Sequence, residues 1–234
     1  MHYIHSYDSS AEYNQNINLD YNEPFVALVK DSPKGTKYYN NHRNNWFNYI
    51  EYVDLGLPSG TLWASMNVGA KNLGAVGDTF AWGEIVPKTT GDWSNYKWGT
   101  SQTNITKYNE TDGKYILDNE DNVAYVMFGQ DWSIPTPDDW VELHNTNYCT
   151  RGTVGNGVKT FTSTANGNVL CIPANTSSGD IALWSSVGYQ GSQCYYANVL
   201  TYGVFSGNIS ASVKYAYRYV PYPIRPVCHV VQLS

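Results

Sequence analysis

The stretch EYVDLGLPSGTLWASMNVG (51–69) contains two short runs of apolar and β-forming residues on either side of a Pro-Ser-Gly turn. Valine, threonine and aromatic side chains fit the half-buried surface of a strand, and Pro and Gly between two such runs indicate a turn. The pattern recurs towards the C-terminus in the runs DTFAWGEI, KTFTS, NVLCIPA, ALWSS, CYYANVL, SVKYAYRYV and IRPVCHVVQL. Many short strands joined by polar turns predict a domain rich in antiparallel β-structure.

Two segments interrupt the strands and predict short helices. The first runs from about 118 to 128, with acidic residues near its positive N-terminal end and Gly129 as its left-handed stop. The second begins at Thr136 as N-cap, with Pro137 and Asp139 at the first and third helical positions. Two short helices among many strands predict an α+β fold with a twisted antiparallel sheet.

The first 48 residues form a separate small module in this interpretation. FVALV and TKYY flank the turn DSPKG, which predicts a β-hairpin. A lone hairpin is marginal in water, so we expect it to pack on the main domain, residues 49–234, or on another copy of the chain. An assembly or attachment role is the hypothesis for this module.

Composition limits the classes of partner. Charged residues make up only 15% of the 234 residues, whereas tyrosine supplies 21 and tryptophan 8. The formal net charge of −6 argues against binding to a phosphate backbone, so no nucleic-acid partner is expected. No stretch approaches the ~20 apolar residues of a membrane span, and the N-terminus lacks the basic and apolar runs of a signal peptide.

The C-terminal part differs chemically from the rest. No Asp or Glu follows Asp180, and the only bases there are Lys214, Arg218 and Arg225. In SVKYAYRYV (212–220) the alternation places Val213, Tyr215, Tyr217 and Tyr219 on one face and Lys214, Ala216 and Arg218 on the other. An ordinary half-buried strand explains this pattern as well as a binding surface does.

Several segments resemble a known family. They are YVDLGLPSGTLWASMNVGA (52–70), GDTFAWGE (77–84), DWSIPTPDDW (131–140), LWSS (183–186) and RYVPYPIRPV (218–227). They are similar, in the same order, to the Fibrobacter succinogenes major paralogous domain of Bacteroidetes and their phages. This resemblance implies a C-type-lectin-like fold, in the version shared with formylglycine-generating enzymes and with the variable proteins of diversity-generating retroelements.

The same resemblance implies that LWSS and IRPV are core strands with a variable, solvent-facing stretch between them. In the retroelement proteins, adenine-directed mutagenesis produces Tyr, Ser, Asn, Gly, Val, Ala and Phe but not Trp, Met or Glu. Residues 187–222 contain none of those three. Gln190, Gln193 and Lys214 depart from the permitted set and must be template-fixed positions in this interpretation.

A surface rich in Tyr, Ser, Gly and Asn is typical of a protein that binds other molecules. Tyrosine offers a large amphipathic contact area with few rotatable bonds, and the small residues supply adaptable hydrogen bonds. The predicted ligand-binding residues are Val187, Tyr189, Gln190, Ser192, Gln193, Tyr196, Asn198, Tyr202, Val204, Phe205, Asn208, Tyr215, Tyr217, Tyr219, Val220 and Tyr222. The competing interpretation of any one tyrosine is a core aromatic whose hydroxyl reaches the surface.

These observations predict a non-catalytic, receptor- or ligand-binding homo-oligomer, with a trimer as one arrangement. The partner is a cell-surface protein or glycan of a host or target cell, and the location is a phage tail, a virion or the extracellular space. The first alternative is a bacterial cell-surface domain of fixed specificity. The second is a relative of the formylglycine-type oxidases, which needs a reactive cysteine pair that the sequence does not identify.

Catalytic and metal sites are not expected. The five histidines form no recognisable pair with a nucleophile, and the acids near the predicted helix starts are interpreted as dipole-stabilising charges. Asp78 and Glu84 could contribute to a structural cation, although turn acids without a cation are commoner. No cofactor is predicted. The spacing of Cys149, Cys171, Cys194 and Cys228 does not suit zinc and leaves two alternatives, buried thiols or one or two disulfides.

Overall fold

The computed structural model describes residues 50–129, 131–205 and 208–229, and the backbone of two short strands nearer the N-terminus. At positions 156, 204, 205 and 208–211 only the backbone is described. The strands are β1 (Val26–Leu28), β2 (Lys37–Tyr39), β3 (Tyr52–Asp54), β4 (Thr61–Ala64), β5 (Thr79–Phe80), β6 (Gly99–Ser101), β7 (Asn104–Ile105), β8 (Trp132–Ser133), β9 (Cys149–Val154), β10 (Val158–Ser163), β11 (Val169–Ile172), β12 (Ile181–Gly188), β13 (Tyr196–Phe205), β14 (Asn208–Tyr217), β15 (Tyr222–Pro223) and β16 (Val227–His229). The helices are α1 (Val123–Phe128) and α2 (Pro137–Leu143). The prediction of a mixed α+β chain with many antiparallel strands is confirmed.

The strands are divided among small sheets rather than joined in one. One four-stranded sheet has the order β3-β4-β16-β8, so it joins the beginning of the main domain to its end. Two three-stranded sheets have the orders β12-β13-β14 and β11-β10-β9. All four strands of the four-stranded sheet have only two to four residues. The prediction of a single twisted sheet is therefore wrong in this respect.

The strands β1 and β2 pair antiparallel, with Val26 opposite Tyr39 and Leu28 opposite Lys37. This pairing is the one that the predicted hairpin requires. The remainder of the N-terminal module lies outside the described residues, and the boundary at residue 48 stays a prediction.

Large aromatic side chains fill the core. Five tryptophans are almost completely buried: Trp63, Trp82, Trp132, Trp140 and Trp184. The indole of Trp82 donates a hydrogen bond to Ser185 O (2.8 Å), and the indole of Trp184 donates one to Phe80 O (2.7 Å). These two bonds satisfy buried polar groups and join β5 and the residues just after it to β12.

The predicted first helix is wrong at its beginning. A single 3-10 turn covers Asn119–Asp121, and the α-helix starts only after Asn122, whose backbone is extended. The side chain of Asn122 accepts a hydrogen bond from Tyr125 N (3.3 Å) and is the N-cap in place of Asp118. Gly129 ends the helix, as predicted, and has a positive φ of 102°, but its ψ of −177° is extended, so the predicted left-handed conformation does not form.

The start of the second helix is confirmed residue by residue. Thr136 Oγ1 accepts a hydrogen bond from Asp139 N (3.2 Å), and Asp139 Oδ2 accepts one from Thr136 N (2.8 Å). This reciprocal pair is a capping box, and Pro137 occupies the first helical position. The helix then buries Trp140 and Leu143 against the core.

The four cysteines are free thiols, and Cys149, Cys194 and Cys228 are buried. Of the two alternatives that the sequence left open, the structure therefore favours buried thiols. Burial raises the pKa of Cys149 to about 11, so this thiol is protonated and unreactive at neutral pH.

Candidate ligand-binding surface

Six tyrosines and one tryptophan come together beside the open end of the β13–β14 pair. We call this set, Trp93, Tyr189, Tyr195, Tyr196, Tyr215, Tyr217 and Tyr219, the tyrosine surface. Antiparallel pairing places Tyr196 opposite Tyr217 and Asn198 opposite Tyr215. Neighbours across an antiparallel pair lie close enough for their side chains to touch, so the register itself gathers these rings.

The rings are held by one another. Tyr217 and Tyr219 stack with centroids 5.3 Å apart and planes 9° from parallel. Trp93 meets the ring of Tyr219 edge-on at 4.8 Å, and Tyr196 lies 4.8 Å from Tyr217. A separate edge-to-face pair joins Tyr189 to Tyr215 at 4.7 Å. Contacts of this kind fix the orientations of the rings relative to one another.

The tyrosine surface is accessible and uncharged. Tyr215 is 57% exposed, and the other six members are half-buried. The hydrogen bond with Tyr217 raises the pKa of Tyr196 to about 12, so this phenol stays neutral at physiological pH. The surface therefore offers aromatic rings and neutral hydroxyl groups rather than charges.

Of the sixteen predicted contact residues, five belong to the tyrosine surface: Tyr189, Tyr196, Tyr215, Tyr217 and Tyr219. Three more, Gln190, Ser192 and Gln193, are exposed at the 3-10 turn between β12 and β13. Asn198 is half-buried on β13, Val220 is half-buried in the turn after β14, and Val187 is half-buried on β12. The side chains of Val204, Phe205 and Asn208 lie outside the described ones.

Two predicted contact residues face the core instead. Tyr202 is only 2% exposed and packs between Phe161 and His144, with ring centroids 5.6 and 5.0 Å away. Tyr222 is half-buried and meets the buried Trp184 edge-on at 5.0 Å. The prediction for Tyr202 is wrong because the neighbouring sheet covers its side of β13, and Tyr222 supports the core more than it serves a ligand.

Three residues of the site were missed by sequence reasoning. Tyr195 contacts the rings of Tyr196 and Tyr217, with centroids 4.6 and 6.1 Å away. Trp93 and Gln102 come from loops about a hundred residues earlier, and Gln102 Nε2 donates a hydrogen bond to Tyr217 Oη (2.9 Å). No local pattern marks such long-range neighbours. Tyr195 could have been found, since it adjoins a predicted contact residue.

Arg218 lies buried beneath the tyrosine surface, whereas Lys214, which was predicted to share a face with it, is exposed. Its guanidinium donates hydrogen bonds to the carbonyl oxygens of Tyr196 (3.2 Å), Lys107 (3.2 Å) and Tyr108 (2.9 Å). It also lies over the ring of Trp82, 4.4 Å from the centroid. The alternation fails here because β14 ends at Tyr217 and the chain turns inward.

Two glycines allow the backbone to close around this site. A Cβ at Gly188 would lie 2.9 Å from the ring of Trp82 and 3.0 Å from Arg218 Nη2. A Cβ at Gly91 would lie 1.8 Å from Tyr219 O, so any side chain there would displace the backbone below the stacked rings. Both positions must remain glycine for the surface to keep its shape.

The ammonium group of Lys107 lies within a cluster of three acidic side chains. Ligand oxygens of Asp118, Glu120 and Asp121 lie within 4.8 Å of one another. The ammonium of Lys107 lies among them, 2.8 Å from Asp118, 3.3 Å from Glu120 and 2.6 Å from Asp121. Their predicted role as helix-start charges is therefore wrong for these three acids, which bind lysine instead.

The other suggested cation site also contains an ammonium group. Glu84 is buried, and its carboxylate lies 2.7 Å from Lys88 Nζ. It also accepts a hydrogen bond from Lys97 N (2.8 Å). Asp78 is not a partner in these contacts, and the two acids thus do not act together.

The two histidines near α2 contact residues of the core and of the helix start. His144 is buried beside Trp140 and Phe161, and burial lowers its pKa to about 4, so it is neutral. His229 Nε2 lies 2.7 Å from Asp139 Oδ1. Sequence analysis did not identify the pair of His229 and Asp139, which forms because β16 brings His229 to the start of α2.

The His229–Asp139 pair predicts a specific pH dependence. Its hydrogen bond to Asp139 raises the pKa of His229 above 6.5, so its stabilising contribution is complete below pH 6.5 and is lost as the pH rises through the raised value. Burial opposes the ionisation of Asp139, but hydrogen bonds from His229 and Thr136 outweigh it and lower the pKa of Asp139 below 3.8. The contribution of Asp139 is therefore lost only as the pH falls through that lowered value.

We expect His229→Gln to reduce the free energy of unfolding by about 0.5 to 1 kcal/mol at pH 6, the size typical of a half-exposed ion pair. At pH 9 the difference from the wild type should shrink. Urea titrations at both pH values measure it, with Lys71→Gln at an exposed loop position as the control. An equal loss at both pH values would contradict an ionic contribution.

Searches of protein-family models, curated proteins and solved structures each found no match to this chain. Within the part of the chain that the structure describes, neither helix has the length and apolar character needed to cross a membrane.

Proposed function

We propose that this chain is a non-catalytic binding protein whose tyrosine surface contacts a protein or glycan on another cell. The observation that carries the proposal is the outward-facing, mutually packed array of rings between Trp93 and the β13–β14 pair. Seven aromatic side chains that are exposed or half-buried lie in one uncharged patch, although the chain as a whole is only moderately apolar. A contiguous apolar patch of this kind is typical of an interaction site.

The energetic argument is one of preorganisation. Ordering a flexible side chain on binding costs about 0.5 to 1.5 kcal/mol, and rings that already pack on one another avoid much of that cost. Tyrosine and tryptophan are also the residue types most enriched among those that dominate interface energies. A few of these rings should therefore carry most of the affinity.

Diversification of residues 187–222 remains part of the proposal. β12, β13 and β14 hold the stretch on a sheet whose central side chains are buried on both faces, Val199 in one core cluster and Leu200 in the other. Exposed or half-buried positions such as Tyr189, Tyr215 and Tyr217 can change without repacking that core. A C-type-lectin-like scaffold on a phage tail or virion is the setting that we propose, and an oligomer would add avidity.

The test uses arrays printed with bacterial surface glycans and outer-membrane proteins. We expect the variant Tyr217→Ala/Tyr219→Ala to lose at least about 30-fold in affinity for the targets that the wild type captures, the size of a ~2 kcal/mol hot spot. Its free energy of unfolding should fall by no more than about 2 kcal/mol, because the stacked pair is half-exposed.

The matched control is Tyr125→Ala/Tyr148→Ala, which removes two half-buried tyrosines on α1 and after α2. This control should keep the capture of the wild type. Retained capture by the Tyr217/Tyr219 variant would reject the tyrosine surface as the contact site. Absence of capture by the wild type from every array would reject the proposed function.

A further inference from the structure

A cleft of about 380 Å³ opens beside the tyrosine surface. One wall is the turn 109–115, and the other is the segment 189–194, which links β12 to β13. The residues that line it are Asn109, Glu110, Gly113, Lys114, Tyr115, Tyr189, Gln190, Gly191 and Cys194. Tyr189 belongs both to the cleft and to the tyrosine surface, where it packs on Tyr215. The two features are therefore continuous.

The wall 109–115 is rigid. The carboxylate of Asp112 accepts hydrogen bonds from three backbone amides, those of Tyr108 (2.6 Å), Asn109 (2.9 Å) and Lys114 (2.9 Å). The side chain of Asn109 donates a further bond to Ile105 O (2.7 Å). This turn keeps its shape without a ligand, and it presents Glu110 at the rim of the cleft.

The two walls are also joined to each other. Gly188 N donates a hydrogen bond to Tyr115 O (2.6 Å), and Leu117 N donates one to Ser186 O (3.0 Å). On the other wall, Tyr189 N donates to Tyr196 O (3.1 Å), and Gly191 has a φ of 75° that turns the chain sharply. The cleft is therefore formed before binding, as is typical of small-molecule sites.

The polar groups in the cleft suit a hydroxyl-rich neutral molecule. Glu110 is exposed and, among the described residues, forms no ion pair, so its carboxylate can accept from hydroxyl donors. Gln190 is exposed, and its side chain does not cap the turn that follows it. The Lys114 ammonium pairs with Asp118 (2.9 Å). Tyr115 and Tyr189 add aromatic surface, against which the C–H face of a sugar ring can pack.

The charges argue against other classes of ligand. Glu110 would repel an anion, and Glu110 is the one acid among the residues that line the cleft, so a cation would meet a single carboxylate there. A carboxylate, a carboxamide and two phenols around a volume of this size provide both hydrogen-bond acceptors and donors for several hydroxyl groups.

We propose that this cleft binds one neutral sugar residue, the terminal unit of a larger glycan whose next units lie across the tyrosine surface. This proposal rests on the proposed function, which it deepens by naming the class of ligand. Glu110 and Gln190 are the hydrogen-bonding residues, and Tyr189 connects the cleft to the stacked rings.

Saturation-transfer NMR tests the proposal with the methyl glycosides of glucose, galactose, mannose and N-acetylglucosamine at about 10 mM, where even millimolar binding is detectable. We expect at least one of them to receive saturation from the wild-type protein. Glu110→Gln should weaken that binding about tenfold, because it removes a charge-assisted hydrogen bond. Gln190→Ala should weaken it several-fold.

The matched control is Glu120→Gln, the same substitution at an exposed carboxylate outside the cleft, which should leave sugar binding unchanged.

The variant Tyr217→Ala/Tyr219→Ala separates the two proposals, since these rings do not line the cleft. It should keep methyl glycoside binding within about twofold while it loses capture on the arrays. No saturation of any methyl glycoside, or binding that Glu110→Gln leaves unchanged, would overturn the sugar site. Array capture that depends on Tyr217 and Tyr219 would still support the proposed function.

Discussion

Replacing Arg225 with methionine is expected to lower the free energy of unfolding by about 3 to 5 kcal/mol. Arg225 is completely buried, and its guanidinium donates to Asn67 Oδ1 (2.8 Å), Ala64 O (2.9 Å) and Cys171 O (3.0 Å). Methionine has no donor, so three buried acceptors lose their partner at once. Burial lowers the pKa of Arg225 to about 9, and the group is thus still charged at neutral pH.

Thermal and urea denaturation measure this loss, which corresponds to a decrease of roughly 10 °C in Tm for a domain of this size. Lys71→Met is the matched control, because it removes one positive charge from an exposed loop position. It should change the free energy of unfolding by less than about 0.5 kcal/mol. If the Arg225→Met protein is as stable as this control, the free energy of desolvating the buried guanidinium is as large as the stabilisation from its hydrogen bonds.

Replacing Arg218 with methionine is expected to cost about 3 to 4 kcal/mol of stability and also to abolish binding. Arg218 links the backbone at Tyr196 to that at Lys107 and Tyr108, and it covers the ring of Trp82. Without these bonds the turn that carries Tyr217 and Tyr219 loses its support from below. The Arg218→Met variant should therefore lose both stability and the arrangement of the tyrosine surface.

Denaturation, near-ultraviolet circular dichroism and the array assay distinguish this outcome from that of the tyrosine variant, which should lose binding alone. Lys214→Met is the matched control, since Lys214 is an exposed cation on β14, the strand that ends just before Arg218. It should retain both the stability and the near-ultraviolet spectrum of the wild type. If Arg218→Met binds normally, the buried guanidinium does not position the tyrosine surface.

The second helix was predictable because its determinants are local. Thr136, Pro137 and Asp139 lie within four positions of one another, and the capping box that they form depends only on those side chains and the adjacent backbone. The first helix was less predictable for the opposite reason. Lys107, which lies outside the segment and 14 positions before Asp121, pairs with Asp118 and Asp121, and the helix starts at Val123 instead.

In the candidate site too, sequence predicted the locally determined features and missed those that depend on long-range contacts. Period-two alternation correctly predicted that Tyr215 and Tyr217 belong to one strand near the surface, and composition indicated that this surface is poor in charge. Neither property shows which side of a strand another sheet will cover. Tyr202 and Tyr215 belong to paired strands of one hairpin, yet Tyr202 packs on Phe161 while Tyr215 is 57% exposed.

The amino-acid sequence by itself determined the strand-rich α+β character, the start of α2, the stop at Gly129 and the concentration of tyrosine in an acid-free C-terminal stretch. Only the tertiary structure decided that Arg218 lies inside, that Trp93 joins the tyrosine surface and that a cleft opens beside Tyr189. The physical reason is range. Caps, turns and alternation depend on neighbours in sequence, whereas burial depends on contacts such as that between Arg218 and Tyr108, 110 positions apart.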